Sequence, residues 1–229
     1  MPNLYEDEHG VIRALVDRLG HDLEPSILIG GWATFVRVGG EISLDIDLIT
    51  SQDSRHKLEQ LMADLSPSNN HQGRKLRATI DNVHLDIYLP YESQLGGKLR
   101  LKVEVLAEYP DELSFEKWTL LRLEAHIATK MAALLDRHFS EKGQKDAREI
   151  LALLKLDGVD PAVAAEVLHR ASTVSIDDLP TMIGEAFDLI GNISRLTKAD
   201  QKLIGSVKKS WVNELTQRAV RPQELRPSL

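Results

Sequence analysis

Apolar residues follow two different periods along this chain, and the change falls near residue 115. Ahead of it the signals are mostly those of strands. Ser26-Ile27-Leu28-Ile29 is an apolar run closed by Gly30-Gly31, which predicts a buried strand entering a tight turn. Trp32 to Val38 predicts a short helix, and Gly39-Gly40 a turn. Ile42 to Thr50 alternates apolar and polar residues, the two-residue period of a strand, with Leu44, Ile46 and Leu48 facing the core. Leu76 to Ile80 and Val83 to Leu89 predict two more strands joined by an Asp81-Asn82 turn, and Leu99 to Leu106 a further one. Helices are predicted over Tyr5 to Leu19 and Ser54 to Leu65, with Ser66 to Asn70 as a loop.

Beyond Phe115 helical periods take over: Leu120 to Phe139, Lys145 to Leu156, Pro161 to Ala171, Asp178 to Ile190 and Lys198 to Ala219. The expectation is an α+β catalytic domain over 1–114, an all-helical domain over 115–220, and a frayed tail over 221–229.

Composition narrows the class. The chain has 229 residues, 42% of them hydrophobic and 28% charged, enough apolar material for a real core. No stretch has the roughly 18 consecutive apolar residues of a membrane span. The acidic start Met1-Pro2-Asn3-Leu4-Tyr5-Glu6 lacks the basic and apolar regions of a signal peptide. There is no cysteine, which removes disulfides, thiolate nucleophiles and Cys-ligated metals. The expected compartment is the cytoplasm. Net charge is -7, and residues 1–115 hold 11 basic against 19 acidic side chains. Such a balance argues against nucleic-acid binding by bulk charge. The eight histidines, among them His56, His71, His84, His126 and His138, show no zinc-ligand spacing.

The chemistry concentrates in a few acids. Asp45 and Asp47 lie two apart on one strand and so share a face. Adjacent carboxylates repel unless a cation lies between them, and oxygen ligands suit Mg2+. Asp86, between Leu85 and Ile87, repeats the setting on a later strand. Three such carboxylates could hold two metal ions for an in-line displacement at phosphorus. Gly30-Gly31, at a strand-to-helix turn, would let backbone N–H groups reach phosphate oxygens. Two basic clusters, Arg74-Lys75-Arg77 and Lys98-Arg100-Lys102, fit either an RNA backbone or solvated strand faces.

Gly-Gly, a gap, Asp-x-Asp among apolar residues and then a later apolar-Asp-apolar resembles the signature of the nucleotidyltransferase superfamily with the polymerase-β-like fold. Farther on, Lys130, Arg137 and Lys145-Asp146-Ala147-Arg148-Glu149-Ile150 are similar to the Lys…Lys-Asp-x-x-Asp-Ile pattern of AbiEii-type nucleotidyltransferases, toxins of type IV toxin–antitoxin pairs. Two positions depart from that pattern: Glu41 stands where many members have Arg, and Glu149 replaces the second Asp.

The resemblance covers about residues 25–155. It implies a mixed sheet flanked by helices, with the helical domain closing over it and an NTP between them. Asp45, Asp47 and Asp86 would be the catalytic metal ligands for two Mg2+. Asp86 would also position or deprotonate the acceptor hydroxyl. Gly30, Gly31 and Ser43 would contact the triphosphate, Lys130 would clamp phosphate, and Lys145 and Asp146 would contact nucleotide or acceptor. The implied activity is NMP transfer, in several members onto tRNA, with a winged-helix antitoxin as partner. A small-molecule acceptor such as an aminoglycoside-type antibiotic, or an inactive binding module on the same fold, are the alternatives.

Overall fold

The computed structural model describes residues 10, 15, 18–19, 23, 26–41, 43–62, 64–70, 73–80, 83–111, 118–193 and 195–224. The expected N-terminal helix, the Asp81-Asn82 turn and the tail beyond 224 lie largely or wholly outside them. The chain divides into two compact units, Met1–Gln94 with Val103–Arg122, and Leu95–Lys102 with Leu123–Leu229. Leu95–Lys102, though early in the sequence, packs with the helical unit.

The first unit is a six-stranded mixed sheet carrying helices, so the α+β class holds. Its strands are β1 (Ser26–Ile29), β2 (Asp45–Thr50), β3 (Ser66–Asn70), β4 (Gly73–Ile80), β5 (Val83–Tyr88) and β8 (Thr119–Leu120). They are ordered β3-β4-β5-β2-β1-β8. The pairs β2–β5 and β1–β8 are parallel, and the other three are antiparallel. Period two decides the faces. Ile46, Leu48, Leu76, Ala78, Leu85 and Ile87 are buried in one core with Leu28, Trp32 and Leu58. Helix α1 (Gly30–Val38) follows β1 directly, and α2 (Arg55–Leu61) follows a 3-10 turn at Gln52–Ser54. Arg37, in the last turn of α1, donates to the Asp111 carboxylate and the Leu121 carbonyl, each at 2.5 Å.

Several expectations are corrected. Ser66–Asn70 is not a loop but the edge strand β3, antiparallel to β4. Its polar residues lie on the sheet edge, and an edge strand is where Pro67 can sit without removing a needed ladder bond. Only Leu101–Lys102 (β7) of the expected 99–106 strand is extended, pairing with β6 (Gln94–Leu95) in a separate two-stranded sheet. Val103–Leu106 is a helical turn that buries Val103 and Leu106. Its apolar spacing suits either period. Strand structure also persists past Phe115, because two-residue β8 is too short to show an alternation. Leu44 does not reach the core. It lies on a bend ahead of β2 and is 66% exposed.

The second unit contains α3 (Leu123–Arg137), α4 (Glu141–Leu154), α5 (Pro161–Ala171), α6 (Leu179–Gly191) and α7 (Lys198–Glu224). Each matches an expected helix within a few residues, except that α7 runs on to Glu224. The caps explain the starts. Ser140 Oγ accepts from the Gly143 amide at 3.0 Å, and Asp160 Oδ1 from the Ala162 amide at 2.8 Å, with Pro161 in the first turn. Fully buried Trp211 packs edge-on against Phe187 with ring centroids 5.7 Å apart. Asp136 accepts from the Gly97 and Lys98 amides at 2.6 and 2.8 Å, tying Leu95–Lys102 to α3. Among the described residues no helix is long and apolar enough to cross a membrane.

Thr197 and Asp200 form a reciprocal cap on α7. Asp200 N–H donates to Thr197 Oγ1 at 3.1 Å, and Thr197 N–H to Asp200 Oδ2 at 3.1 Å. Lys155 and Thr197 hold the Asp200 carboxyl down to about 2. A lowered carboxyl pKa stabilises the fold above its ordinary value and loses that effect as pH falls through the lowered one. The cap should therefore remain intact at pH 4 and fail between about 4 and 2. Thr197→Ala should cost about 1 kcal/mol, read as a melting-temperature drop of about 2–4 °C.

Candidate active site

Strand register assembles the site on the sheet face opposite the core. The parallel β2–β5 pairing sets Asp47 beside Asp86, and Asp45 beside His84. The antiparallel β4–β5 pairing sets Arg77 opposite Asp86. On the other side, β1 pairs Ile29 with Asp47. One row across the sheet thus reads Arg77, Asp86, Asp47 and then the start of α1.

Two glycines make room for this row. Gly30 has φ +70°, a left-handed conformation that disfavours side chains, and a Cβ there would overlap the Asp47 carboxylate. A Cβ on Gly31 would come within 2.7 Å of the Ser43 Cβ and 3.0 Å of its Oγ. Ser43 Oγ in turn accepts from the Asp45 amide at 3.4 Å. Gly30, Gly31, Ser43, Asp45 and Asp47 are therefore one packed constellation. The N-cap residue Ile29 provides no side-chain cap, and the first turn of α1 holds no acid. Such a helix start is favourable ground for an anion.

Asp86 lies on interior strand β5 and is only 6% exposed. Its Oδ2 receives the Lys75 ammonium and, at 3.4 Å, Arg77 Nη2, and its Oδ1 receives Arg77 Nε at 2.9 Å. Burial opposes ionisation, but hydrogen bonds from Arg77 and Lys75 outweigh it and hold the carboxyl below its ordinary range. The hydrogen bond to Asp86 raises the Arg77 guanidinium in return, and Asp45 adds to that. Lys75 is thus not a solvated strand residue. Its side chain is 4% exposed, and its ammonium lies 5.9 Å from the Tyr88 ring centre.

Lys75 and Arg77 as partners of Asp86, and His84 beside Asp45, are what reading the sequence missed. The signal was present in period two: Lys75 and Arg77 alternate with buried Leu76 and Ala78, and His84 shares a face with Asp86. His84 is exposed, with Nδ1 3.4 Å from Thr79 Oγ1.

Asp45 and Asp47 supply the oxygen donors that a hard divalent cation takes, and both are partly exposed. That pair fits one such ion. Both oxygens of Asp86 are already engaged by cations. Among the described residues no three His, Asp or Glu side chains form a group able to hold a metal.

The remaining expected residues lie in the helical unit. Lys130, on α3, is buried and donates to Glu149 Oε2 at 2.5 Å and Asp146 Oδ1 at 3.4 Å, both on α4. Arg137 makes a bidentate pair with Asp146 at 2.7 and 3.0 Å. Two cations and two carboxylates therefore balance between the helices. Lys145 is half-buried beside them.

The chain matches no known protein family and no curated protein. Among solved structures, it is similar to a candidate nucleotidyltransferase from Thermotoga maritima at 15% identity and a TM-score of 0.39. That likeness covers 51% of this chain and 80% of the other. It is also similar to an antigenic nucleotidyltransferase-like protein from Paracoccidioides brasiliensis at 13% identity and a TM-score of 0.43, over 80% and 94% of the two chains. At these values the likeness concerns the path of the backbone.

Gly30→Ala should displace Asp47 and destabilise the unit by more than about 1 kcal/mol, because positive φ and overlap act together. A denaturant melt measures it. Lys130→Met should cost about 3–5 kcal/mol by stranding buried carboxylate charge, seen in the same melt.

Proposed function

We propose that the chain is a nucleotidyltransferase that moves an NMP from an NTP to an acceptor hydroxyl. The observation that carries this reading is the Asp47 carboxylate beside Gly30 at the start of α1, with Asp45 two residues away on the same strand face. A cation-binding pair and a phosphate-receiving helix start are adjacent there, as NTP binding requires.

In the proposed reaction the acceptor hydroxyl's oxygen bonds to the α-phosphorus, its proton passes to water, and the bond to the bridging oxygen breaks as pyrophosphate leaves. Asp45 and Asp47 would hold Mg2+, which when bound supplies charge for the triphosphate oxygens. The Gly30 and Gly31 amides would receive phosphate oxygens, and Ser43 keeps the two segments in contact. Asp86 was expected to position or deprotonate the hydroxyl. Positioning suits it better, since its partners lower its affinity for a proton. Lys130 is given no nucleotide role, because Glu149 and Asp146 already match its charge.

The proposed acceptor is RNA, in particular tRNA. Supporting it are exposed Lys98, Arg100 and Lys102 on one short segment and exposed Arg74 on β4. A toxin role with a winged-helix antitoxin belongs to this reading.

The test is incubation with each of four α-32P-labelled NTPs, Mg2+ and total tRNA. Label should enter tRNA and fall about 1,000-fold or more in Asp45→Asn, since several kcal/mol of charge stabilisation is lost. Label in a small molecule instead would overturn the tRNA reading. Mg2+-dependent NTP binding with no transfer to any acceptor in a cell extract would point to a binding module.

A further inference from the structure

The Lys75–Asp86–Arg77 cluster is more than neutralising. Asp86 carries one negative charge and has two cations on it, so the cluster is positive by one. Asp47 is its register neighbour on β2, and Asp45 also interacts with Arg77. A buried strand position would ordinarily hold an apolar residue, because taking an ammonium out of water is expensive. Lys75 nevertheless occupies one, and its ammonium goes to Asp86. Arg77 is half-exposed and reaches the same carboxylate from the solvent side. The excess positive charge thus stands beside the acidic pair, in the row where a third carboxylate would share a second metal ion.

We propose that Lys75 and Arg77 are resident cations taking the place of a second divalent ion on Asp86, so that the site holds one divalent ion, on Asp45 and Asp47. This rests on the metal-binding role given to that pair above. Asp86 is then a positioning residue that anchors two fixed charges rather than a ligand. A site so built keeps half of its cationic charge when the metal dissociates, whereas a two-metal site loses all of it.

Titration with Mn2+ alone, followed by electron paramagnetic resonance, counts bound ions per chain without reference to activity. One ion should bind to the unaltered chain and to Asp86→Asn, and binding should be lost in Asp45→Asn. Lys75→Met/Arg77→Gln should gain a second ion, because both Asp86 oxygens become available. Circular dichroism checks that each variant is folded. Should the double variant not fold, Lys75→Met/Asp86→Asn, which leaves no buried ammonium or carboxylate at the cluster, should still bind one. Two ions on the unaltered chain, or loss of an ion in folded Asp86→Asn, would overturn the inference while leaving the acidic pair as a metal site. No ion on the unaltered chain would overturn the role of the pair itself, a result recognisable because Asp45→Asn would then change nothing.

Discussion

The parallel pairing of β2 with β5 is the constraint on which the site depends. Strand side chains alternate, so one register decides two things together. It sends Ile46, Leu48, Leu85 and Ile87 into the core, and it sets Asp47 beside Asp86 on the opposite face. A slip of one residue would turn the acids toward the apolar core and expose four large apolar side chains. Each of those is worth about 1.5–3 kcal/mol when buried. The hydrophobic core therefore holds the carboxylates in place through the strand register.

Holding acids side by side creates an electrostatic problem, and the chain meets it in two ways. Asp86 is matched within the fold by Lys75 and Arg77. Asp45 and Asp47 are partly exposed, next to a helix start where Gly30 leaves space for a carboxylate. A buried charge with partners is costly to lose from either side, whereas a partly exposed pair can exchange a cation with solvent. The helical unit follows the first pattern. Lys130, Arg137, Asp146 and Glu149 balance one another between α3 and α4, and that accounts for the buried lysine.

Much of this was legible from residue order. Alternation around Asp45 and Asp47 read correctly because the first half of β2 alternates half-buried and buried positions. The helices of the second unit were clear, since amphipathic stripes and caps such as Ser140 and Asp160 leave strong local signals. Edge strand β3 was hidden because its pairing to β4 comes from distant residues, and its own Ser, Pro and Asn resemble a loop. Leu44 was placed in the core by extending the alternation past the bend where β2 begins. The partners of Asp86 were missed for a similar reason. Lys75 and Arg77 form a basic cluster in sequence, and only strand register shows that they meet an acid.

The proposed role of the β2 carboxylates is to hold a cation beside the start of α1. Crystals grown with Mn2+ and a non-hydrolysable NTP analogue test it most directly through anomalous scattering. A peak between Asp45 and Asp47, with phosphate oxygens against Gly30 and Gly31, is the expected result. A peak elsewhere, with Asp45 and Asp47 bound only to protein or water, would contradict it.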